Sequence, residues 1–183
     1  MTGCGGCAQR SDFSALKSQP PDIRRLLADY IVSHQEDFYR LAYSYVKNRD
    51  AALDVVQESI VKALSKSDSL RKPEFLKTWF YRILLNESMN YYRHNRRLVS
   101  LEEEGLPETA APQGDHAARL DLYAAIDRLD SREQAIIRLR FFQDMKLEDI
   151  AQVTGANLNT VKSRLYKSLR KLRELTGEEC SYE

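Results

Sequence analysis

The stretch LEDIAQVTGANLNTVKSRLYKSLRKLR, residues 147–173, sets a short apolar helix, a glycine turn and a basic amphipathic helix in direct succession. That is the order of a helix-turn-helix. Leu147, Ile150, Ala151 and Val153 supply the buried side of the first helix. Gly155 gives the backbone freedom the turn needs, and Asn157 is placed to cap the second helix. Val161, Leu165, Leu169 and Leu172 recur at helical spacing and face inward. The outward positions Asn159, Lys162, Ser163, Tyr166, Lys167 and Arg170 combine hydrogen-bonding groups for base edges with cations for phosphates. A basic amphipathic helix alone is as well read as a solvated surface, but the shorter helix and the glycine turn ahead of it favour a DNA groove.

Working upstream, Leu120–Leu129 has a helical pattern, and Ser131 with Gln134 reads as a capping box for a helix over 132–142. Before that, residues 100–114 hold a run of Glu, Pro107, Pro112 and Gly114 with little apolar content, which predicts an extended linker. On its N-terminal side the apolar period is again helical: Ile23, Leu26, Leu27 and Tyr30, then Phe38, Leu41, Ala42, Tyr45 and Val46. A turn at Asn48 to Asp50 leads to a helix over 51–65 with Leu53, Val56, Ile60 and Leu64 as its inner side. A break at Ser67 to Pro73 precedes a longer helix over 74–96, with Leu76, Phe80, Ile83 and Leu84 inward. Strand-like alternation is absent from the sequence. The expected fold is all-α: a loose tail over 1–20, a helical domain over 21–98, an acidic linker over 99–116, a helix-turn-helix domain over 117–176 and a short tail over 177–183.

The 183 residues, 43% hydrophobic and 30% charged, suit one medium or two small water-exposed domains. No apolar run approaches the roughly 20 residues that cross a bilayer, and the N-terminus lacks the apolar stretch of a secretory signal. The expectation is a cytoplasmic protein without stable membrane insertion. Net charge is only +1, from 28 Lys+Arg against 27 Asp+Glu, yet the charges are segregated. Arg93, His94, Arg96 and Arg97 form one basic cluster, and Lys162 to Arg173 another. Between them Glu102, Glu103, Glu104, Glu108 and Asp115 lie in a stretch without Lys or Arg. Cys4 and Cys7 form a CGGC pair, with Cys180 near the other end. No second ligand pair stands at a zinc-site distance, so no metal and no cofactor are expected. With no glycine-rich phosphate loop, and His34, His94 and His116 scattered, no catalytic residue is nominated.

Two further patterns carry candidate binding chemistry. Asp54, Gln57 and Glu58, at spacings of three and four, project from one side of a helix whose other side is apolar. The next helix interleaves rings with cations and amides: Trp79, Tyr81, Arg82, Asn86, Tyr91, Tyr92 and Arg93. Trp79, Phe80 and Ile83 read as core, but the rings outnumber what one buried stripe holds. Exposed rings beside Arg suit unstacked bases, because a ring stacks on any base while the cation holds the backbone. Such a surface does not open DNA alone. Separating a handful of steps at about 1.4 kcal/mol each costs on the order of 5 to 8 kcal/mol, whereas one captured base returns about 1 to 3 kcal/mol. A larger partner has to supply the remainder.

Three blocks, RDAALDVVQESIVKAL (49–64), FLKTWFYRILLNESMNYYRHNRR (75–97) and the helix-turn-helix, occur in an order that resembles the sigma-seventy family of bacterial RNA polymerase sigma factors, specifically the small extracytoplasmic-function group. The resemblance covers about 22–175. It implies a sigma-two-like and a sigma-four-like domain, and core RNA polymerase as the partner, engaged through its beta-prime clamp helices and beta flap. In the first block it implies that Asp54, Gln57 and Glu58 bind the clamp. In the second it implies that the helix and its preceding loop, Ser67 to Phe75, capture a base of the minus-ten element, with Asn86, Tyr92, Arg93 and Lys72 as contacts. In the third it implies that Asn159, Thr160, Lys162, Ser163, Arg164, Tyr166 and Lys167 lie at the minus-thirty-five element, with base and phosphate roles left open. Promoter DNA and an anti-sigma factor, which would hold the chain at the membrane, are implied partners. Three positions depart from the pattern: Asn90 stands where Asp is frequent, Asn159 where Gly is frequent, and Lys146 where a capping Ser or Thr is frequent. A stand-alone helix-turn-helix regulator and a thiol oxidoreductase using Cys4 and Cys7 are the alternative readings.

Overall fold

The computed structural model describes residues 22–99 and 122–176. The CGGC pair, Cys180, the acidic linker and both tails fall outside the described residues. Among the described residues eight α-helices follow in order: α1 (Ile23–Ser33), α2 (Gln35–Val46), α3 (Arg49–Ser65), α4 (Leu76–Val99), α5 (122–127), α6 (Ser131–Phe141), α7 (Leu147–Thr154) and α8 (Leu158–Thr176). Two 3-10 turns, Ser67–Ser69 and Pro73–Phe75, join α3 to α4. Among the described residues there is no strand.

The helix boundaries follow from capping chemistry. Asp22 accepts from the Arg24 backbone N–H at 3.0 Å to start α1, and Asn48 accepts from that of Ala51 at 3.0 Å to start α3. Lys47 ends α2 in the left-handed conformation at φ 55°. At α6 the cap is one residue earlier than expected: Asp130, not Ser131, accepts from the backbone N–H groups of Arg132 and Glu133, and Glu133 answers to the Asp130 N–H. Burial pushes the Asp130 carboxyl up. The two cap bonds, with the charges of Lys171 and Arg164, outweigh that and hold it below its ordinary value. Gln134, expected in the box, is buried and donates to the carbonyls of Asp127 and Leu129.

Helices α2, α3 and α4 pack together with α1 laid alongside, around Leu27, Phe38, Leu41, Phe80 and Leu84, all fully buried. The Phe38 and Phe80 rings meet at 4.4 Å, and each such buried side chain contributes about 1.5 to 3 kcal/mol over exposure. The inner face of α3 is not the expected one. Leu53 and Leu64 are 42% and 43% exposed, and the buried line is Ala52, Val55, Val56, Ser59 and Ala63. Small side chains let α3 approach α2 and α4 closely, and its larger residues are turned out. A second group, α5 to α8, closes around Ile126, Ile136, Leu139, Met145, Ile150 and Val161. Lys171 of α8 donates to Glu133, which is nearly fully buried at the start of α6, at 2.8 Å and ties these two helices together.

Candidate nucleic-acid interface

The helix-turn-helix forms as its local chemistry requires. Gly155 takes φ 66°, and the Asn157 side chain accepts from the Asn159 backbone N–H at 2.9 Å to start α8. α7 begins at Lys146 without a side-chain cap. Val161, Leu165 and Leu172 are buried and Leu169 half-buried, joined by Ser168, which donates to the Arg164 carbonyl. The opposite face exposes Asn159, Lys162, Ser163, Tyr166 and Lys167, spaced as one continuous helical stripe, with Arg170 extending it. Tyr166 is 71% exposed. Lys162 and Lys167 have no carboxylate partner among the described residues. Thr160 and Arg164 point elsewhere: both line a cleft between α8, α6 and α4.

On α4 the candidates divide. Asn86 and Arg93, two turns apart, are exposed and line that same cleft from the opposite side. Tyr92 is half-buried, its ring edge-on to Tyr45 with centroids 6.5 Å apart. Lys72 lies ahead of α4, whose first residue is about 15 Å along the axis from Asn86 at 1.5 Å per residue. Its amine pairs with Glu74 at 3.7 Å and sits over the Phe75 ring at 5.8 Å. The exposed rings expected on α4 are absent among its described side chains. Trp79, Tyr91 and Tyr92 are half-buried and Tyr81 is buried, since the neighbouring helices take up more of this surface than one stripe. The exposed ring in this region is Phe75, 41% open, in the loop before α4. Phe75 closes the loop, Ser67 to Phe75, that the resemblance assigns to base capture, although its ring was not among the nominated contacts.

Asp54, Gln57 and Glu58 are all exposed on α3. Glu58 accepts from Lys62 at 3.1 Å, and Lys62 also donates to Glu87 on α4 at 2.5 Å. These two carboxylates push the Lys62 amine above its ordinary value. Alongside the three candidates stand Leu53, Val61 and Leu64, 42%, 60% and 43% exposed. The outer side of α3 is therefore a mixed apolar and acidic strip rather than a purely polar face, which is the composition of a docking surface.

The two helical groups meet along two seams. In the first, Arg138 of α6 is fully buried. Its guanidinium donates to Gln134 Oε1 at 2.8 Å, to Asp127 Oδ1 at 2.7 Å and to the Ser44 carbonyl of α2 at 3.1 Å, and lies 4.0 Å from the centroid of the Tyr45 ring. Asp127 also pairs across the seam with Lys47. Burial pushes the Tyr45 hydroxyl up to about 12, against the pull of the Arg138 charge. In the second seam, Tyr81 donates to Gln143 Oε1 at 2.7 Å, and Gln143 Nε2 donates to the Asp37 carbonyl at 2.9 Å. Thr78 donates to Gln152 Oε1 at 3.1 Å. Arg82, read from sequence as one of the cations among the rings, donates to the carbonyls of Val153, at 3.2 Å, and Gln152 at the C-terminal end of α7. Neither seam was visible in the sequence. The described residues hold no cluster of three or more metal-ligating side chains and no helix long and apolar enough to cross a membrane.

Comparison with known proteins identifies both helical groups. Residues 30–98 match the family Sigma-70 region 2, and residues 119–172 match Sigma-70, region 4. The RNA polymerase sigma factor SigV of Bacillus subtilis (strain 168) is 47% identical over 159 residues, covering 86% of this chain and 96% of the relative. The ECF RNA polymerase sigma factor EcfG of Rhodopseudomonas palustris (strain TIE-1) is 30% identical over 152 residues, covering 81% and 84%. Among solved structures, the sigma factor RpoE in complex with the anti-sigma factor NepR from Bartonella quintana aligns with a TM-score of 0.66 at 26% identity, covering 83% of this chain and 97% of that one. CnrH in complex with the cytosolic domain of CnrY shares the fold, with a TM-score of 0.66 at 23% identity over 85% of this chain and 90% of that one. The chain belongs to the sigma-70 family of RNA polymerase sigma factors, in the extracytoplasmic-function (ECF) group.

Proposed function

We propose that the chain brings core RNA polymerase to a restricted set of promoters and helps to open them, with no catalysis of its own. The observation that carries this reading is the outer face of α8. Asn159, Lys162, Ser163, Tyr166 and Lys167 form one exposed stripe whose two lysines have no carboxylate partner among the described residues, as expected of a helix that enters the major groove of the minus-thirty-five element. Asn86, Arg93 and the loop bearing Lys72 and Phe75 are the corresponding surface for the minus-ten element, with Tyr92 at its edge. The strip of Asp54, Gln57 and Glu58 with Leu53, Val61 and Leu64 suits the beta-prime clamp helices. A cleft of about 490 Å³ lined by Leu122, Ile126, Phe141, Phe142 and Leu169 suits an apolar helix such as the beta flap presents.

Elements named for positions minus ten and minus thirty-five are about 25 base pairs apart, roughly 85 Å along the duplex at 3.4 Å per step. Helices α4 and α7 are in hydrogen-bond contact, so the closed arrangement does not read both at once. It is the idle form, and the seams part when polymerase is engaged. Residues 100–121 could span up to roughly 75 Å if extended, which together with the widths of the two helical groups allows that separation. The sigma factor RpoE is solved with its anti-sigma factor NepR. By analogy we assign this chain an anti-sigma partner and a cytoplasmic location, at the membrane when that partner is held there.

Run-off transcription on a promoter library, with core polymerase and with or without the chain, tests the reading. Start sites that depend on the chain are expected, with little duplex binding by the chain alone. Tight, specific duplex binding without polymerase, and no dependent start sites, would establish a stand-alone regulator instead.

A further inference from the structure

The cleft that receives Asn86, Arg93, Thr160 and Arg164 has a volume of about 460 Å³ and is walled by α4, the start of α6 and the turn into α8. Three arginines from three helices, Arg93, Arg132 and Arg164, line it. None of their guanidinium groups has an ion pair or hydrogen bond among the described residues, whereas Arg82 and Arg138 in the adjacent seams each donate to neighbouring groups. The carboxylate near them, Asp130, is occupied by the backbone N–H groups of Arg132 and Glu133. An anion in the cleft would be attracted by all three cations at once. The first turn of α8, a helix of 19 residues, adds its positive end at Asn157 and Thr160. Below the cations Leu85, Met89, Ile136 and Val153 give an apolar floor.

We infer that this cleft binds a compact polyphosphate, of the size of a nucleoside di- or triphosphate, that bridges the two helical groups and holds the chain in its idle form. Forked guanidinium groups match phosphate oxygens in pairs, and three of them match the charge of a di- or triphosphate. The volume lies within the range of small-ligand sites. A duplex is too large, since its major groove alone is about 12 Å wide. Occupancy would cover Asn86 and Arg93 on one side and Thr160 and Arg164 on the other, so that ligand and promoter compete for the same side chains. The inference rests on the closed seams rather than on promoter reading, so its test needs no polymerase.

The full chain is titrated calorimetrically with pyrophosphate and with ATP, using sulfate at matched ionic strength as the control. One saturable site is expected. Arg132→Ala, at an exposed position outside the proposed DNA surfaces, should weaken it at least about tenfold, while the Lys162→Ala, Lys167→Ala double variant leaves it unchanged. Arg132→Lys, which keeps the charge and loses the fork, should fall between. Equal binding of the two probes assigns the phosphates as the recognised group, and tighter ATP binding adds the apolar floor; both uphold the site. Absence of saturation by about 1 mM for either probe, or loss of binding in the double-lysine variant with Arg132→Ala unaffected, would overturn it.

Discussion

Replacing Arg138 with Met should open the chain without unfolding it. Across the seam the guanidinium makes one hydrogen bond, to the Ser44 carbonyl, and one ring contact, at 4.0 Å over Tyr45. A charged hydrogen bond contributes about 1.5 to 3 kcal/mol and a desolvated cation–π contact about 2 kcal/mol. Met recovers part of the packing, because it fills the channel of the arginine stem. The net cross-seam loss is about 3 kcal/mol, roughly a hundredfold in the closed-to-open ratio. The bonds to Gln134 and Asp127 lie within the second helical group. Their loss lowers that group's own stability by about 1 to 3 kcal/mol but is common to both forms. Asp127 keeps its pairing with Lys47, so a weakened seam persists. The assay is pulsed electron–electron resonance between spin labels at Lys66 and Glu174, both exposed, with Cys4, Cys7 and Cys180 first replaced by Ser. The parent should show one narrow distance distribution, and Arg138→Met a broad, shifted one at unchanged helical circular dichroism. An unchanged narrow distribution in a folded Arg138→Met protein would refute the reasoning, because the Lys47–Asp127 pair and the second seam would then hold the closed form without this side chain.

Other expectations follow from single residues. Gly155→Ala meets no atom within 4 Å of the added Cβ, so its cost is the left-handed backbone alone, about 1 to 2 kcal/mol in urea unfolding. A neutral result would mean that the turn relaxes. Asp130→Ala removes the cap of α6 and should cost about 1 kcal/mol at neutral pH. Because the Asp130 carboxyl is held below its ordinary value, its contribution is complete above that value and disappears as pH falls through the lowered one. Parent and variant stabilities should therefore begin to converge below about pH 4 and meet below the lowered value, and a gap that persists there would assign the loss to packing. Lys167→Ala should relax base preference at one promoter position by about 1 to 3 kcal/mol if the amine reads a base edge, and weaken all sequences alike if it holds phosphate. Unchanged binding of the holoenzyme to promoter and scrambled duplexes would remove Lys167 from the interface.

The parts legible in the sequence are those whose causes are local. Gly155 and Asn157 sit within a few residues of what they control, so the helix-turn-helix could be written down residue by residue, as could the outer stripe of α8. The cap of α6 was misplaced by one position because Asp130 and Ser131 are both competent caps, and the choice between them depends on Glu133 reaching back and on Gln134 being drawn into the interior. The face of α3 was harder, since apolar size favoured Leu53 and Leu64 while close packing against α2 and α4 favoured Ala52, Ser59 and Ala63. Arg138 was out of reach, as its partner Ser44 is 94 positions away and nothing in a helical Arg signals a fully buried guanidinium. The surplus of rings on α4 was noticed and given to solvent. Part of that surface faces the second helical group through Tyr81 and Gln143, and Tyr92 lies against Tyr45.

The central claim is that one chain carries two readers, folded against each other when idle and drawn apart on a promoter. The direct measurement is the distance between the labels at Lys66 and Glu174, taken in the free protein and again in its complex with core polymerase and promoter DNA. A single narrow distribution in the free protein that shifts by tens of ångströms in the complex is the expected result, on the scale of the roughly 85 Å between the two elements. The same distribution in a transcriptionally active complex would contradict the account.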